Sequence, residues 1–242
     1  MISVVNNLWY KELGFRNNPF TIKPGVLNDE IIAYDLEELF NKIDYGEVIF
    51  VEGPYGTGKS TILKNIINEF GGNKQVVYYS ANRKEGTVDF YGLLKGKYGA
   101  IGRMFKSLPR DMILLLDEAD ALQEDDFENL REYYEQGNFK SIVLVADDFD
   151  KLNITDYFFN LVKDNVISLT ELDEGEAVML VRSRVGDVDV MDDSVIKKVF
   201  RLSGKNPRTF LKNCEDVCRY AHKHGADKVT EQHVEKALGK EV

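Results

Sequence analysis

The sequence predicts an α/β fold, in which helices flank a parallel sheet, followed by a small all-helical domain. Four short apolar runs, at 47–53, 74–81, 112–120 and 140–148, have the length and composition of strands. A glycine-rich turn follows the first run, and the segment after that turn has apolar residues at helical spacing. Strands that alternate with helices form parallel sheets, so we expect four parallel strands in an α/β sandwich.

The glycine-rich turn reads GPYGTGKST and occupies residues 53–61. It completes the phosphate-loop pattern G-x-x-x-x-G-K-[ST], whose fixed residues here are Gly53, Gly58, Lys59 and Ser60. Glycines let the backbone turn its N–H groups toward phosphates, and the helix that begins near Gly58 adds its positive dipole end. The residues expected to hold a nucleotide are Gly53, Pro54, Tyr55, Gly56, Thr57, Gly58, Lys59, Ser60 and Thr61.

Two side chains of this loop have specific expected roles. Lys59 should reach the β and γ phosphates of ATP, and the Ser60 hydroxyl should bind Mg²⁺. A glycine-rich turn that binds nothing is the alternative, but a buried turn gains no packing from an unpaired lysine. The motif therefore indicates nucleotide binding, without indicating what the nucleotide is used for.

The third apolar run, MILLLDEAD, predicts a central strand that ends in carboxylates. Ligands of open α/β sheets bind at the carboxyl ends of the strands, so Asp117 is placed to hold Mg²⁺ and Glu118 to polarise the attacking water. A solvated acidic helix start is the alternative.

The fourth run ends in Asp147 and Asp148. Asp147 is a possible sensor of the γ phosphate, and a solvated acidic loop is the other reading.

The segment from 169 onward predicts a helical domain. Apolar residues recur at helical spacing from Leu169 to Val185, Thr230 is a good N-cap, and glycines at 186, 204 and 225 separate the helices. A bundle of about four helices follows from this spacing. We divide the chain into an N-terminal segment at 1–26, an α/β nucleotide-binding domain at 27–168 and a helical domain at 169–242.

Composition excludes several classes of protein. With 43% apolar and 30% charged residues, the 242-residue chain is typical of a globular protein and has no low-complexity segment. Only two cysteines occur, no stretch approaches the length of a membrane span, and the first residues do not resemble a signal peptide. We expect a cytoplasmic protein without membrane insertion. The net charge of −10 restricts any contact with nucleic acid to a local surface.

Together, GPYGTGKS, ILLLDEAD and the run SGKNPRTF at 203–210 resemble the AAA+ ATPases over roughly residues 13–239. The resemblance implies that residues 1–26 are a lead-in to the nucleotide pocket and that residues 169–242 are a helical lid. This lid is similar to those of replication-initiator, transposition-regulator and secretion-pathway ATPases. This resemblance implies a P-loop sheet with a helical lid, ATP and Mg²⁺ as cofactors, and assembly into a homo-oligomer.

The resemblance also implies two further parts of the nucleotide pocket. In the family, the arginine of the lid run contacts the γ phosphate; here it is Arg208, which follows Pro207. The lead-in LGFRNNPFTIKPG at 13–25 is similar to the segment that wraps the adenine, with Asn18, Pro19 and Phe20 as candidates. The alternatives are an arginine near a helix N-terminus without a ligand, and a Phe20 that packs under the first helix.

One departure from the family concerns the rate of hydrolysis. Family members usually supply an arginine finger to a neighbouring subunit from the region that here spans 150–169, and this region contains no arginine. Such a finger is worth about 10³ to 10⁵ in rate, and lysine mimics its planar fork poorly. We therefore expect slow turnover and switch-like behaviour.

Basic residues are concentrated in one segment. Residues 81–110 hold seven basic against two acidic residues, a net charge of +5, which leaves −15 for the rest of a chain whose total is −10. Interleaved aromatics and glycines suit contact with nucleic acid. The candidate DNA contacts are Arg83, Lys84, Lys95, Lys97, Arg103, Lys106 and Arg110. A solvated segment whose aromatics complete the core is the alternative.

Taken together, these features predict an ATPase that hydrolyses ATP slowly with Mg²⁺ and acts as an oligomeric switch in DNA metabolism. The residues expected to carry the chemistry are Glu118, Lys59 and Arg208. The alternative is an ATP-dependent remodelling or signalling switch that binds a protein partner and no DNA.

Overall fold

The computed structural model describes residues 9–22, 36–73, 75–83, 85–97, 107–170 and 172–239. The described residues form two compact units. The sheet unit takes its residues from 36–55 and 59–170, and the helical unit from 9–22, 56–58 and 172–239.

The sheet unit contains five parallel strands in the order β2-β3-β4-β1-β5. The strands are β1 (Val48–Glu52), β2 (Val76–Ser80), β3 (Met112–Asp117), β4 (Phe139–Ala146) and β5 (Val166–Ser168). The middle strands are apolar almost throughout because helices cover both faces of a parallel sheet. In β3, Ile113, Leu114 and Leu115 are fully buried.

The fifth strand was not predicted from the sequence. β5 has three residues and pairs with β1, with Phe50 opposite Val166 and Glu52 opposite Ser168. A run this short carries no alternation pattern, so only pairing with β1 reveals it. The other four predicted strands are confirmed.

Helices pack on both faces of this sheet. They are α2 (Leu36–Tyr45), α3 (Lys59–Phe70), α4 (Phe90–Lys95), α5 (Glu124–Glu135) and α6 (Asp156–Val162). Each buries an apolar stripe, and α3 does so through Ile62, Leu63, Ile66 and Phe70. Helices α4, α5 and α6 share one apolar cluster with the sheet through Phe90, Phe127 and Phe158, whereas the buried residues of α3 lie outside that cluster.

A buried carboxylate fixes the segment before α4 to α5. Asp126 is 1% exposed, and its two oxygens accept hydrogen bonds from the backbone N–H groups of Val88 and Gln123, each at 2.8 Å. The bond from Gln123 also caps α5. A buried carboxylate is tolerated here because both oxygens are paired.

The helical unit contains α1 (Trp9–Glu12), α7 (Glu174–Val185), α8 (Asp193–Leu202), α9 (Pro207–Lys223) and α10 (Glu231–Leu238). Thr230 caps α10, and Asn206 caps α9 by accepting a hydrogen bond from the Thr209 N–H at 3.0 Å. Pro207 occupies the first helical position of α9, where its missing N–H costs nothing.

The core of this unit joins the first described residues to the last helices. Trp9 and Phe20 are both buried, with ring centroids 6.2 Å apart and nearly parallel planes. Arg184 of α7 donates hydrogen bonds to the carbonyl oxygens of Pro19 and Thr21 at 3.3 and 3.0 Å. Residues 9–22 are thus an integral part of the helical unit.

No helix in the described part of the chain combines the length and the apolar composition that crossing a bilayer requires.

Candidate functional site

The phosphate loop lies where the sheet brings three strand ends together. β1 is the neighbour of β4, and β4 is the neighbour of β3, so Glu52, Asp117 and Ala146 end at one edge of the sheet. The loop follows Glu52, and α3 begins at Lys59. Residues that are 29 to 94 positions apart in the sequence therefore come together at this edge, which is where ligands of parallel sheets bind.

The backbone of the loop needs glycine at two positions. Gly56 and Gly58 have φ angles of +92° and +113°, in a region that other residues rarely adopt. A Cβ at Gly58 would meet nothing within 4 Å, so the backbone conformation rather than lack of space requires glycine there. The loop delivers the chain to the first turn of α3, whose N–H groups have no partner within the helix.

Lys59 holds the loop together in this structure. Its ammonium group donates to the carbonyl oxygens of Gly53 at 2.5 Å and Pro54 at 3.2 Å, and to Asp147 Oδ1 at 2.6 Å. The Lys59 side chain is only 14% exposed, whereas that of Asp147 is 61% exposed. This ion pair therefore joins a partly buried lysine to a carboxylate that is largely open to solvent.

Asp117, at the end of β3, lies in a polar network with β2. Its Oδ2 accepts a hydrogen bond from the Tyr78 hydroxyl at 3.0 Å, and its Oδ1 accepts one from the Glu118 N–H at 3.1 Å. Partial burial raises the pKa of Asp117, as does repulsion from Glu118, while the Tyr78 hydrogen bond works in the opposite direction. Burial and the adjacent carboxylate raise the pKa of Tyr78 to about 12, so its hydroxyl keeps the proton that it donates.

Glu118 is held by both its backbone and its side chain. Its φ and ψ angles of 56° and 46° are left-handed, which turns the chain sharply out of β3 into the short helix Ala119–Ala121. Its Oε2 accepts a hydrogen bond from the Ser80 hydroxyl at 2.7 Å. A strained non-glycine backbone commonly marks a functional position.

Three further residues of this edge were not predicted from the sequence: Ser80, Tyr78 and Glu52. Ser80 pairs in register with Asp117, which places the last residue of β2 beside the DEAD run. Glu52 accepts hydrogen bonds from the Ser168 hydroxyl at 2.6 Å and the Phe149 N–H at 3.1 Å, and so connects the ends of β1, β5 and β4. The sequence does place these residues at the carboxyl ends of predicted strands. It does not show which strands are neighbours, so it could not indicate which of these residues lie in the site.

The residues expected to hold Mg²⁺ suit that ion. Ser60 and Asp117 offer hydroxyl and carboxylate oxygens, which are the ligands a hard cation prefers. Within the described residues, no group of three His, Cys, Asp or Glu side chains could hold a metal by itself. This donor set matches a Mg²⁺ bound by one or two side chains together with nucleotide phosphates.

Residues 43–153 match the model of a protein family described as AAA domain. This range contains the phosphate loop, Asp117, Glu118 and Asp147, which are the residues that the sheet brings together. Residues 43–153 of this chain form an AAA domain. The predicted AAA+ membership and P-loop fold are confirmed.

Solved structures share the fold of the AAA domain and the helical unit. A structure of Drosophila ORC bound to DNA is 18% identical with a TM-score of 0.65, over 89% of this chain and 63% of the other. Cdc6p from Pyrobaculum aerophilum is 15% identical with a TM-score of 0.67, over 90% and 69%. The RuvB Holliday junction branch migration motor of Thermotoga maritima is 18% identical with a TM-score of 0.65, over 84% and 66%.

The chain spans about two thirds of the length of these solved chains. At these identities the similarity establishes the fold alone. A search of curated protein sequences finds no significant match to the chain.

The arginine expected to contact the γ phosphate lies in the helical unit. Arg208 is the second residue of α9, directly after Pro207. The tip of the phosphate loop, 56–58, also groups with this unit, and a Cβ added to Gly56 would come within 3.0 Å of the Cβ of Arg208. Within the helical unit, Asn206 and Arg208 therefore lie next to Gly56.

The expected adenine pocket needs a correction. The Phe20 ring is fully buried and packs against Trp9, so neither of its faces can stack on a base. The structure therefore agrees with the alternative, in which Phe20 packs in the core. Asn18 accepts a hydrogen bond from the Phe20 N–H at 3.0 Å, and the Pro19 carbonyl accepts one from Arg184. In this structure the segment 18–20 is fixed by contacts within the helical unit.

The basic segment is described only in part. Lys84, Arg103 and Lys106 lie outside the described residues, as does the side chain of Arg83. Lys95, Lys97 and Arg110 are exposed, and the Lys95 ammonium lies 5.9 Å from the centroid of the half-exposed Tyr91 ring. Of the interleaved aromatic residues, Phe90 is buried and packs in the core, whereas Tyr91 is exposed at the surface.

Proposed function

We propose that this chain binds ATP, hydrolyses it slowly with Mg²⁺, and acts as an oligomeric nucleotide-dependent switch in DNA metabolism. The convergence of Lys59, Asp117 and Glu118 at one edge of the AAA domain's sheet carries the proposal. A phosphate-binding lysine next to two carboxylates is the arrangement that phosphoryl transfer to water requires.

Each residue has a separate role in this proposal. Lys59 and the N–H groups at the start of α3 bind the phosphates, and Ser60 and Asp117 hold Mg²⁺, which neutralises charge on the β and γ phosphates. Glu118 accepts a proton from the attacking water, and the Ser80 hydroxyl orients its carboxylate. Arg208 contacts the γ phosphate from the lid and couples the state of the nucleotide to the helical unit.

Slow turnover follows from the absence of arginine between residues 150 and 169. A neighbouring subunit would present this region to the γ phosphate in a ring of this family. Without a planar guanidinium there, developing charge on the phosphate is stabilised less. The proposed protein therefore persists in its ATP-bound state long enough to act as a switch.

Exposed basic and aromatic groups support the DNA part of the proposal. Lys95, Lys97 and Tyr91 are exposed on or next to α4, and Arg110 is exposed before β3. Lysine and arginine side chains that bind DNA phosphates displace the counterions condensed on the DNA, which favours binding. An exposed aromatic ring can stack on an unpaired base. The named neighbours, ORC bound to DNA and a Holliday junction motor, are proteins of DNA metabolism and agree with this choice.

Two substitutions test the nucleotide part. Lys59→Ala should abolish ATP binding, because the loop loses its only cation at the phosphates. Glu118→Gln should bind ATP within about threefold of the wild type but hydrolyse it at least about 100-fold more slowly, which is the scale of general-base catalysis. Equilibrium binding of a fluorescent ATP analogue and release of inorganic phosphate measure the two effects. Normal turnover by Glu118→Gln would rule out its role as the base.

Arg208→Ala tests the lid. We expect weaker ATP binding and slower hydrolysis with little change in ADP affinity, because the proposed contact is to the γ phosphate. Lys212→Ala, which removes an exposed charge from the same helix, is the matched control. An Arg208→Ala protein with wild-type ATP affinity and turnover would remove Arg208 from the site.

DNA binding is tested by a salt series with duplex and single-stranded DNA, without nucleotide, with ADP and with a non-hydrolysable ATP analogue. We expect the tightest binding with the analogue. Replacing Lys95, Lys97 and Arg110 by alanine should reduce the salt slope by up to about 0.9 per lost phosphate contact. The matched control replaces three exposed lysines of the helical unit, Lys212, Lys223 and Lys236.

A protein-directed switch is the second candidate, and the distribution of charge favours it. Outside residues 81–110 the chain has a net charge of −15, which repels DNA and suits a basic protein surface. Absence of DNA binding in every nucleotide state at low salt would select this candidate. The Glu118→Gln protein, held in its ATP-bound state, would then be used to trap the partner.

A further inference from the structure

The ammonium group of Lys59 has all three of its hydrogen-bond donors occupied. Two go to the carbonyl oxygens of Gly53 and Pro54, and the third goes to Asp147 Oδ1. An ammonium group has three N–H donors and no more. A phosphate oxygen can therefore bind Lys59 only by replacing one of these three partners.

Asp147 is the partner that a phosphate can replace with least disturbance. The two carbonyl groups belong to the backbone of the phosphate loop, so losing them would alter the loop itself. Asp147 contributes only a side chain, which is 61% exposed. Its carboxylate can rotate away while the phosphate loop keeps its shape.

The backbone around Asp147 is held on both sides, which limits how far the carboxylate can retreat. Ala146 is buried at the end of β4, and the Phe149 N–H is bound by Glu52 at 3.1 Å. Asp148 caps the short helix Phe149–Lys151 by accepting a hydrogen bond from the Asp150 N–H. Rotation of the Asp147 side chain can therefore release Lys59 while these backbone contacts keep the carboxylate in the vicinity of the lysine.

We propose that Asp147 competes with the terminal phosphate of a bound nucleotide for Lys59, and so weakens binding of a triphosphate more than that of a diphosphate. This inference rests on the proposed function of the loop as a nucleotide site. It makes Asp147 a residue that sets nucleotide specificity, rather than only a sensor that hydrogen-bonds the γ phosphate.

Charge and distance explain the discrimination. Asp147 Oδ1 lies 2.6 Å from Lys59 Nζ. A phosphate oxygen that accepts a hydrogen bond from Lys59 Nζ at about 2.8 Å would lie at most about 5.4 Å from Asp147 Oδ1 in its present position. Like charges at this separation repel each other, and solvent around the exposed Asp147 side chain screens part of that repulsion. A triphosphate carries more charge to this position than a diphosphate, and Mg²⁺ reduces the repulsion by neutralising the phosphates.

The test compares Asp147→Asn with Asp148→Asn in the full chain. Asparagine keeps the shape of aspartate and removes its charge. Asp148 is the adjacent residue and pairs with Lys151 at 3.0 Å, so its variant removes the same charge without touching Lys59. Calorimetric titration with ATP, ADP, tripolyphosphate and pyrophosphate, with and without Mg²⁺, measures each affinity; the two inorganic probes exclude effects of the base.

Asp147→Asn should bind ATP and tripolyphosphate about tenfold more tightly than the wild type, and ADP and pyrophosphate about threefold more tightly. The gain should be larger without Mg²⁺, and Asp148→Asn should change each affinity less than twofold. Asp147→Ala should show the same preference as Asp147→Asn, and a circular-dichroism spectrum checks that each variant is folded.

Unchanged or weaker triphosphate binding by Asp147→Asn, in a wild type that binds ATP, would overturn the competition and leave the proposed function intact. An equal gain in Asp148→Asn would also overturn it, because general charge repulsion would then explain the effect. Failure of the wild type and both Asp147 variants to bind any of the four probes would overturn the proposed nucleotide site and this inference with it.

Discussion

The Ser80 hydroxyl donates a hydrogen bond to Glu118 Oε2 over 2.7 Å, and so joins the last residue of β2 to the residue that follows β3. In-register pairing of Ser80 with Asp117 produces this contact, because it places the two strand ends side by side. A carboxylate that is held by a hydroxyl has a defined direction. The contact therefore bears directly on the proposed general base.

Removal of this hydroxyl should slow hydrolysis. We expect Ser80→Ala to lower kcat about tenfold, since a hydrogen bond to a charged group is worth about 1.5–3 kcal/mol, while the KM for ATP changes less than twofold. Ser80→Thr keeps a hydroxyl and should retain most of the rate. Steady-state phosphate release measures both constants. A kcat for Ser80→Ala equal to or above that of the wild type would show that Ser80 does not position Glu118 for catalysis.

The left-handed backbone of Glu118 predicts that glycine at this position is more stable than alanine, although either substitution removes the proposed catalytic base. A non-glycine residue in this conformation costs about 1–2 kcal/mol, and glycine avoids that cost at some entropic expense. Glu118→Gly should therefore be more stable than Glu118→Ala by about 1 kcal/mol, as measured by urea unfolding, while both lose hydrolysis.

Lys205 offers a control for this comparison because its φ angle of 57° is also left-handed and it lies outside the catalytic residues. Lys205→Gly should likewise be more stable than Lys205→Ala and keep normal turnover. Equal stability of Glu118→Gly and Glu118→Ala would mean that the backbone at Glu118 stores no strain.

The raised pKa of Asp117 predicts how stability depends on pH. A carboxylate whose pKa is higher in the folded than in the unfolded chain favours folding when protonated, below its ordinary value of 3.8. That contribution is lost as pH rises through the folded-state pKa, so ionised Asp117 disfavours the folded state at neutral pH.

Asp117→Asn should consequently be more stable than the wild type at pH 7, and this advantage should disappear below about pH 3.8. Urea unfolding from pH 3 to pH 8 measures the difference between the two proteins. Tyr78→Phe, which removes the hydrogen bond to the ionised carboxylate, should lower stability at pH 7. An Asp117→Asn protein less stable than the wild type at pH 7 would contradict the raised pKa.

The buried carboxylate of Asp126 predicts a large loss of stability. Asp126→Ala leaves the N–H groups of Val88 and Gln123 without their acceptor in a buried site, which should cost about 2–4 kcal/mol. Asp125→Ala changes an exposed residue in the same turn of α5 and should cost less than about 0.5 kcal/mol. Urea unfolding measures both losses of stability. Faster amide exchange at Val88 in Asp126→Ala would show that the loss arises from the missing hydrogen bond. Similar losses of stability in the two variants would contradict this role of Asp126.

The sequence by itself determined the elements whose patterns are local. The run from Gly53 to Ser60 specifies a phosphate loop because its glycines and lysine act through backbone geometry and charge at fixed spacing. The apolar runs specify four of the five strands, since a central parallel strand is buried on both faces and reads as continuous apolar sequence. The SGKNPRTF run specifies the start of α9 through a capping asparagine and a proline.

Only the tertiary structure decided which distant residues meet. Strand order and register bring Ser80 to Glu118, Tyr78 to Asp117 and Asp147 to Lys59, and no local pattern encodes that order. Packing likewise decided that Phe20 is buried against Trp9, since aromatic composition does not separate a core residue from a surface one. Local periodicity fixes each element, whereas burial of the apolar faces against one another fixes the partners of each side chain.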